Sequence, residues 1–360
     1  MRFQNKKKES IAFNMTDLWD NLKNTPYPIV LYGMGNGADK IIKVLNERGI
    51  EFKGIFSSDG FQKSGKTFHG FPVLSLFELE KIFGKMTVLM CFGSNRPEVI
   101  ENVKRIKQKH LFFAPDVPVY GDILFDKNFY LSKRKEHDDV LDILADGISK
   151  KTFENTLKYK LSGNVDFLFD CEVSEIEPYQ NFFKLGDNET YLDLGAYRGD
   201  TVFDFLKYVN NSYHKIYAVE PDKKTFGKLS HATENVKNIT LINCAVSEKT
   251  EKGNFVMNGS RGSNISDVGE EIDLICVDDI IENNEITYIK ADVEGAELEF
   301  IKGAEKTIKT KKPKMQIACY HKSDDLINIP KAVLNIRSDY KVYMRHFSSL
   351  PSWDTVYFFV

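Results

Sequence analysis

The residues whose types and spacing suit chemistry begin with the run Tyr191-Leu192-Asp193-Leu194-Gly195-Ala196-Tyr197-Arg198-Gly199-Asp200, followed at a distance by Glu220. A short apolar strand over 190–194 enters a turn of pattern Asp-x-Gly-x-x-x-Gly, and a helix is expected from about Thr201. Glycines in such a turn let the backbone approach a ligand closely, and the helix N-terminus presents oriented amide donors. Glu220 closes the next strand, 215–219, where a carboxylate can take both hydroxyls of a ribose. These features describe a nucleoside crevice, and the wide glycine spacing favours S-adenosylmethionine over a dinucleotide.

A second constellation, Ile289-Lys290-Ala291-Asp292-Val293-Glu294-Gly295-Ala296-Glu297, ends another strand of the same half. In an open α/β sheet that edge lines the ligand crevice. Asp292 and Glu294 are expected to face the methyl donor or the acceptor, and Gly295 allows a tight helix start. A negative charge at Glu297 also suits a helix N-terminus without any further role.

Together with YLDLGAYRGDT, AVEP (218–221), NCAVSEK (243–249), IKADVEGAELEFIKGA, ACYHKSDDL (318–326) and YMRHFSS (343–349), these motifs give a C-terminal half that resembles the FkbM-type S-adenosylmethionine-dependent methyltransferases over 186–360. The resemblance implies O-methylation of a hydroxyl, commonly on a sugar or a polyketide-type product. Ala291 departs from it, since relatives often carry a bulkier apolar residue there; that alters packing rather than chemistry. The roles that follow place Gly195, Ala196, Tyr197 and Gly199 around the methionine part of the cofactor, with Asp193 orienting the turn. Glu220, followed by Pro221, binds the ribose, and backbone at Asn243, Cys244 and Ala245 meets the adenine. Asp292, His321 and Asp325 fall to the acceptor side, with Asp292 also near the cofactor.

A hydroxyl acceptor must lose a proton, so a general base is required. His321 follows a strand end and has a suitable intrinsic pKa; His346 is the second candidate. His69, His110, His137, His214 and His231 have no constellation around them and read as surface residues. Asp278, Asp279, Asp292 and Glu294 offer oxygen ligands, but their spacing does not support an ion, and no metal is expected.

The chain has 360 residues, too many for one typical domain, and its 42% hydrophobic content supports real cores. A net charge of −3 gives no argument for nucleic acid or a membrane surface. Neither a signal peptide nor a span-length apolar window is seen, and five isolated cysteines carry no Cys-x-x-Cys spacing. Cys91, Cys276 and Cys319 read as reduced core residues, and a cytoplasmic location is expected. Strand–helix alternation predicts an α/β chain of two Rossmann-like domains in tandem. They are a nucleotide- or sugar-binding unit over 1–120, a helical connector over 121–185 that is part linker and part lid, and a class I methyltransferase fold over 186–360 closed by an antiparallel hairpin. Within the connector, Ser149 is the expected N-cap of a helix.

In the first unit Gly33-x-Gly35-x-x-Ala38, with Asn36 inside the turn, loosely satisfies a dinucleotide fingerprint. Ser57, Ser58 and Asp59 stand where its acid belongs. Residues 28–75 resemble the small domain that precedes nucleotide-sugar acetyltransferases, which implies nucleotide or nucleotide-sugar binding there. A degenerate docking or dimerisation domain is the alternative. For the whole chain the leading reading is a sugar O-methyltransferase of surface glycans or their nucleotide-linked precursors, and a homo-oligomer is possible. The alternatives are an NAD(P)-dependent nucleotide-sugar oxidoreductase using the first unit, which lacks an evident Tyr-x-x-x-Lys pair, and a non-catalytic cofactor-binding protein.

Overall fold

The computed structural model describes residues 15–58, 65–256, 264–265, 270–281 and 285–360. Near the N-terminus, β1 (Ile29–Tyr32), β2 (Gly54–Phe56), β3 (Thr67–Phe68), β4 (Phe71–Leu74), β5 (Thr87–Met90) and β6 (Leu111–Phe113) form one sheet in the order β3-β4-β2-β1-β5-β6. Every pairing in it is parallel except the β3–β4 hairpin. All four residues of β1 and of β5 are buried, the unbroken apolar run expected of strands covered on both faces.

The C-terminal half contributes β7 (Thr190–Leu194), β8 (Lys215–Val219), β9 (Ile239–Ile242), β10 (Ala245–Ser247), β11 (Glu251–Val256), β12 (Asn264–Ile265) and β13 (Glu270–Cys276), then β14 (Tyr288–Ala291), β15 (Lys314–Ala318), β16 (Val342–His346) and β17 (Thr355–Phe359). Its main sheet runs β16-β17-β15-β14-β7-β8-β9. Strands β9, β8, β7, β14 and β15 are mutually parallel, while β17 pairs antiparallel with both β15 and β16. Strand order reverses between β7 and β14, and an open α/β sheet parts its loops into a crevice at such a point. The extended pieces expected after β9 are β11 and β13, and with β10 and β12 they form a second sheet in the order β10-β13-β11-β12.

Alternation along the strands sorts two cores. Leu192, Leu194, Ile289, Ala291, Met315 and Ile317 face one layer of helices, including Glu297–Gly303 and Asp325–Ile336. Tyr191, Ile216, Ala218, Tyr288 and Phe358 face the other, with Val202, Phe205 and Leu229 from the helices Asp200–Tyr208 and Lys223–Ala232. One long helix is expected over 295–308; the chain instead makes two, Glu297–Gly303 and Glu305–Lys311. Asp278 accounts for the break, because its carboxylate accepts from the Lys306 and Thr307 amides at 2.9 Å each and fixes a new helix start.

The segment between the sheets is less a linker than shared filling. From the helix Gly147–Ser162, Phe153, Leu157 and Leu161 enter the C-terminal core while Tyr159 enters the N-terminal one. Its N-cap is Asp146 rather than Ser149. Ser149 is fully buried one turn in, where its hydroxyl accepts from the Met344 amide at 3.0 Å and from Arg345 at 2.9 Å. Two further expectations fail through burial. His110 lies under Glu80, with Nε2 3.1 Å from that carboxylate, and His137 sits among Phe125, Tyr130 and Phe153. Removal from water pushes the His137 imidazole down to about 4, so it is neutral. His69, His214 and His231 are exposed as expected. All five cysteines are free, and Cys276 is only half-buried. Among the described residues no helix is long and apolar enough to cross a membrane.

Arg345 on β16 fastens this segment to the main sheet. Its side chain is 1% exposed and holds Glu177 through Nε at 2.6 Å and Asp146 through Nη2 at 2.8 Å. Removing one partner of a buried pair leaves its charges uncompensated. Arg345→Ala is therefore expected to lower the unfolding free energy by about 2–4 kcal/mol, toward the lower end because Asp146 keeps some access to water. Guanidinium denaturation measures this, and a loss under about 1 kcal/mol would show that the clamp contributes no more than an exposed pair.

Candidate active site

A cavity of about 560 Å³ opens at the carboxyl ends of β7, β8 and β14. Of the residues singled out from sequence, Gly195, Tyr197, Glu220, Pro221, Cys244, Ala245, Asp292 and Glu294 line it. The first turn is shaped by close approach. Gly195 has φ +81, and a Cβ built on it would stand 2.0 Å from the Asp292 carbonyl oxygen, so the loops after β7 and β14 touch through bare backbone. Gly199, at φ +93, is the N-cap of Asp200–Tyr208, and Ala196 is fully buried beneath the turn. Tyr197 and Glu294 hold φ of +48 and +53, conformations that non-glycine residues adopt only where their surroundings enforce them. Both border the cavity.

Asp193 does not reach the cavity; it braces the turn from below. Its carboxylate accepts from the Thr201 hydroxyl and lies 3.6 Å from the Lys290 ammonium, which in turn donates to the Gly195 carbonyl at 3.4 Å. Burial pushes the Asp193 carboxyl up, and Lys290 offsets part of that.

Glu220 stands at the end of β8 with each carboxylate oxygen anchored once. Oε2 accepts from the Tyr197 amide at 3.0 Å and Oε1 from the Asp222 amide at 2.9 Å. A carboxylate oxygen has a further lone pair, so both oxygens can still accept from a vicinal diol. Burial raises this carboxyl to about 7 despite those two bonds, and donors arriving with a ligand would favour its ionised form. Asn243 supports the loop from behind, donating to the carbonyls of Glu220 and Pro221 at 2.8 and 3.0 Å. The adjoining wall is apolar, formed by Ala245, Val246 and Leu274. Leu274 comes from β13 in the second sheet, so the region after β9 helps build the site, a contribution its irregular sequence does not announce.

Asp292 lies across the cavity, with the Tyr320 hydroxyl at 3.2 and 3.3 Å from its two oxygens. Tyr120, from the segment before the helices, packs its ring on Gly295, where a Cβ would come within 2.8 Å, and its amide donates to the His321 carbonyl at 2.9 Å. Both tyrosines line the cavity; Tyr120 carries no local sequence signal, and Tyr320 stands in the 318–326 motif beside the histidine that drew attention instead.

His321 and Asp325 correct the sequence reading. Both are buried behind the wall rather than in it. Burial disfavours the charged imidazole, but Glu297, with Oε1 2.9 Å from Nδ1, and then Asp292 and Glu294 outweigh it and raise His321 to about 10. A group that keeps its proton at neutral pH is no general base for the acceptor. Asp325 accepts from the Lys322 amide at 2.7 Å, and burial together with the Glu297 charge pushes its carboxyl up. His346 is also enclosed, with Nδ1 2.9 Å from the Thr355 hydroxyl and its imidazole pushed down to about 4 by burial.

The fingerprint-like turn of the first sheet has packing reasons for its small residues. Gly33, at φ +113, rests on the Phe92 ring, and a Cβ at Gly37 would meet the Cys91 carbonyl at 2.3 Å. Gly35 is the N-cap of Asn36–Glu47, and Ala38 is fully buried. None of Gly33, Gly35, Asn36 and Ala38 lines the cavity. The Ser58 hydroxyl is paired with that of Tyr32 at 2.6 Å, and Asp59 lies outside the described residues.

Gly195→Ala is expected to cost on the order of 1–3 kcal/mol of stability and to spoil ligand binding, because strain at positive φ adds to the clash with Asp292. Thermal melts with and without S-adenosylhomocysteine check both effects. An alanine variant with unchanged melting and unchanged ligand response would refute the close approach.

Residues 193–340 match the sequence model of the family described as the Methyltransferase FkbM domain. No curated protein matches. Among solved structures, the methyltransferase FkbM from Methylobacillus flagellatus KT aligns with a TM-score of 0.71 at 23% identity, over 93% of this chain and 90% of that one, and shares its fold. Aeropyrum pernix fibrillarin, solved with natively bound S-adenosyl-L-methionine, aligns at 14% identity over 50% of this chain and 70% of its own, with a TM-score of 0.34. Over residues 193–340 the chain is thus similar in sequence to the FkbM methyltransferase domain, and over most of its length it shares the fold of a methyltransferase FkbM.

Proposed function

We propose that the chain transfers a methyl group from S-adenosylmethionine to a hydroxyl of a sugar, in a glycan or its nucleotide-linked precursor. The observation that carries this reading is the single cavity joining Glu220, the Gly195 turn and Asp292. The ribose diol is held by the two oxygens of Glu220, and the adenine lies against Cys244, Ala245, Val246 and Leu274. The methionine part follows the turn from Gly195 to Tyr197, which leaves the acceptor at Asp292, Glu294 and Tyr320. Carboxylates beside tyrosine rings suit a polyol, whose hydroxyls donate to the former and whose apolar ring face rests on the latter.

When bound, the sulfonium supplies an electrophilic methyl group and departs as a neutral thioether. The protein's part is to align and to take a proton. Asp292 accepts the acceptor's hydroxyl proton as the new carbon–oxygen bond forms, and the Tyr320 hydroxyl holds that carboxylate in place. Positioning of an in-line displacement supplies most of the acceleration.

Binding should follow the ionisation of Glu220. Because its carboxyl is raised to about 7, affinity for S-adenosylmethionine is expected to fall as pH drops below 7, by up to about tenfold per unit, and to level off above it. Glu220→Gln should weaken binding by on the order of 1–3 kcal/mol and flatten that dependence. Calorimetry from pH 5.5 to 8.5 decides it; a wild-type profile matched by the variant's would exclude Glu220 as the ribose ligand.

Turnover tests the rest. With a panel of nucleotide sugars and glycan fragments, release of S-adenosylhomocysteine should fall by about 10²-fold or more in Asp292→Asn, while donor affinity stays within a few-fold. Equal losses in donor affinity and turnover would remove Asp292 from the proton transfer.

A further inference from the structure

Behind the acceptor end of the cavity, His321 is the centre of a carboxylate cluster that the methyl-transfer reading does not use. Its side chain is 1% exposed. Nδ1 faces Glu297 Oε1 at 2.9 Å, and that oxygen also accepts from the Val293 amide at 3.1 Å. Nε2 points the other way, 3.4 Å from Asp292 Oδ1 and 3.7 Å from Glu294 Oε2, and makes no hydrogen bond. Three more atoms in this pocket are buried without a well-aligned hydrogen-bond partner: Glu297 Oε2, Asp325 Oδ1 and His321 Nδ1 itself, which meets Glu297 as an ion pair. Orphaned buried polar atoms are rare, and an ion is one of their standard explanations.

The distances discriminate between a hydrogen bond and a shared ion. Nitrogen and oxygen joined by a hydrogen bond lie about 2.7–3.2 Å apart. Ligands bound about 2.1 Å from one cation stand roughly 3.0 Å apart at right angles and roughly 3.4 Å apart at the tetrahedral angle. The 3.4 Å separation from Asp292 belongs to the second pattern, and the 3.7 Å separation from Glu294 is likewise too long for a hydrogen bond. Atoms of Asp292, Glu297 and His321 also lie within 4.8 Å of one another. A carboxylate on the far ring nitrogen is the usual support of a metal-binding histidine, fixing its tautomer and orientation; Glu297 stands there.

We propose that His321 Nε2, Asp292 and Glu294 bind a divalent first-row cation such as Mn²⁺, with Glu297 as the residue that orients the imidazole. One nitrogen with two carboxylate oxygens suits such an ion better than Ca²⁺ or Mg²⁺, which prefer oxygen alone. The ion displaces the Nε2 proton and offsets the surplus of negative charge from Asp292, Glu294 and Glu297. Lys40, which donates to the carbonyls of Pro118 and Val119 at 2.8 and 2.6 Å, and Lys290 offset part of the charge on Glu294 and Asp292. Asp292 and Glu294 line the cavity, so the ion's open positions face the acceptor hydroxyl and favour its deprotonation. The inference deepens the methyl-transfer reading and rests on it for that role, while the binding of the ion stands on the geometry alone.

The test uses the full chain, stripped with chelator and titrated with Mn²⁺ in the absence of methyl donor, the free ion being followed by electron paramagnetic resonance. One Mn²⁺ per chain is expected, weakened at least tenfold in His321→Gln and in Glu294→Gln, and roughly tenfold to a hundredfold in Glu297→Gln. Glu294 is partly exposed, so its variant tests the site even if the buried ones fail to fold. S-adenosylhomocysteine binding is measured on the same samples. A wild-type chain that binds S-adenosylhomocysteine but takes up no Mn²⁺ at millimolar concentration overturns the metal site and leaves the methyltransferase reading intact. Stoichiometric uptake that persists undiminished in Glu294→Gln and His321→Gln overturns the assignment of ligands. Mn²⁺ uptake by a chain that binds no S-adenosylhomocysteine supports the site and instead contradicts the reading of the cavity.

Discussion

The Asp292 carbonyl oxygen occupies the place where a side chain on residue 195 would have to begin, and the site depends on that contact. Strands β7 and β14 are adjacent and in register, Asp193 opposite Lys290 and Leu194 opposite Ala291, so the loops that leave them must pass each other at the same edge. Only a residue without a Cβ, in a conformation other residues rarely adopt, lets them do so. The consequence is functional as well as steric. The turn that would hold the methionine part and the acid that would meet the acceptor are fixed relative to each other by backbone, which scatters less than side chains and needs no ligand to assemble it.

Charge is arranged around this contact in two environments. Below the turn, Asp193 and Lys290 are buried and tie β7, β14 and the helix Asp200–Tyr208 together. Around the cavity, carboxylates are left with capacity to accept. Glu220 is enclosed enough to be raised to about 7, and Asp292 and Glu294 border open space with His321 behind them. The inward histidine changes the chemistry of that wall. Clamped by Glu297, it behaves as a fixed cation or, once its proton is exchanged for a metal ion, as a ligand. In the proposed reaction the acceptor's proton goes to Asp292, the carboxylate that faces the cavity.

Much of this was legible because it is local. The alternation of Tyr191 and Asp193 with Leu192 and Leu194, the two glycines and an acid after the next strand all lie within one strand–turn–helix–strand unit, where spacing alone sets geometry. Gly195, Tyr197, Glu220, Pro221, Cys244, Ala245 and Asp292 accordingly line one cavity, while Asp193 and Ala196 lie beneath the turn. The errors arise where burial decides. His321 just after β15 and Asp325 at the start of the next helix follow a strand end that does face the crevice, yet both side chains are buried, and a motif does not carry a rotamer. His110 and His137 lack neighbours in sequence that would mark them as buried; Glu80 and Phe153 come from other helices. Tyr120 reaches Gly295 across nearly half the chain, and Leu274 arrives on a strand whose partner choice only the folded sheet reveals. Ser149 looked like a cap because caps favour serine, but Asp146 three residues earlier is the better acceptor and releases Ser149 to bind β16.

The central claim is that the cavity at the ends of β7, β8 and β14 binds S-adenosylmethionine with its ribose on Glu220 and its sulfur toward Asp292. A crystal structure of the full chain with S-adenosylhomocysteine tests it most directly. The account predicts both ribose hydroxyls within hydrogen-bond distance of the Glu220 carboxylate, the adenine against Ala245 and Leu274, and the sulfur facing Asp292. A ligand seated at the Gly33–Ala38 turn of the first sheet, or one in the cavity with its ribose turned away from Glu220, would contradict it.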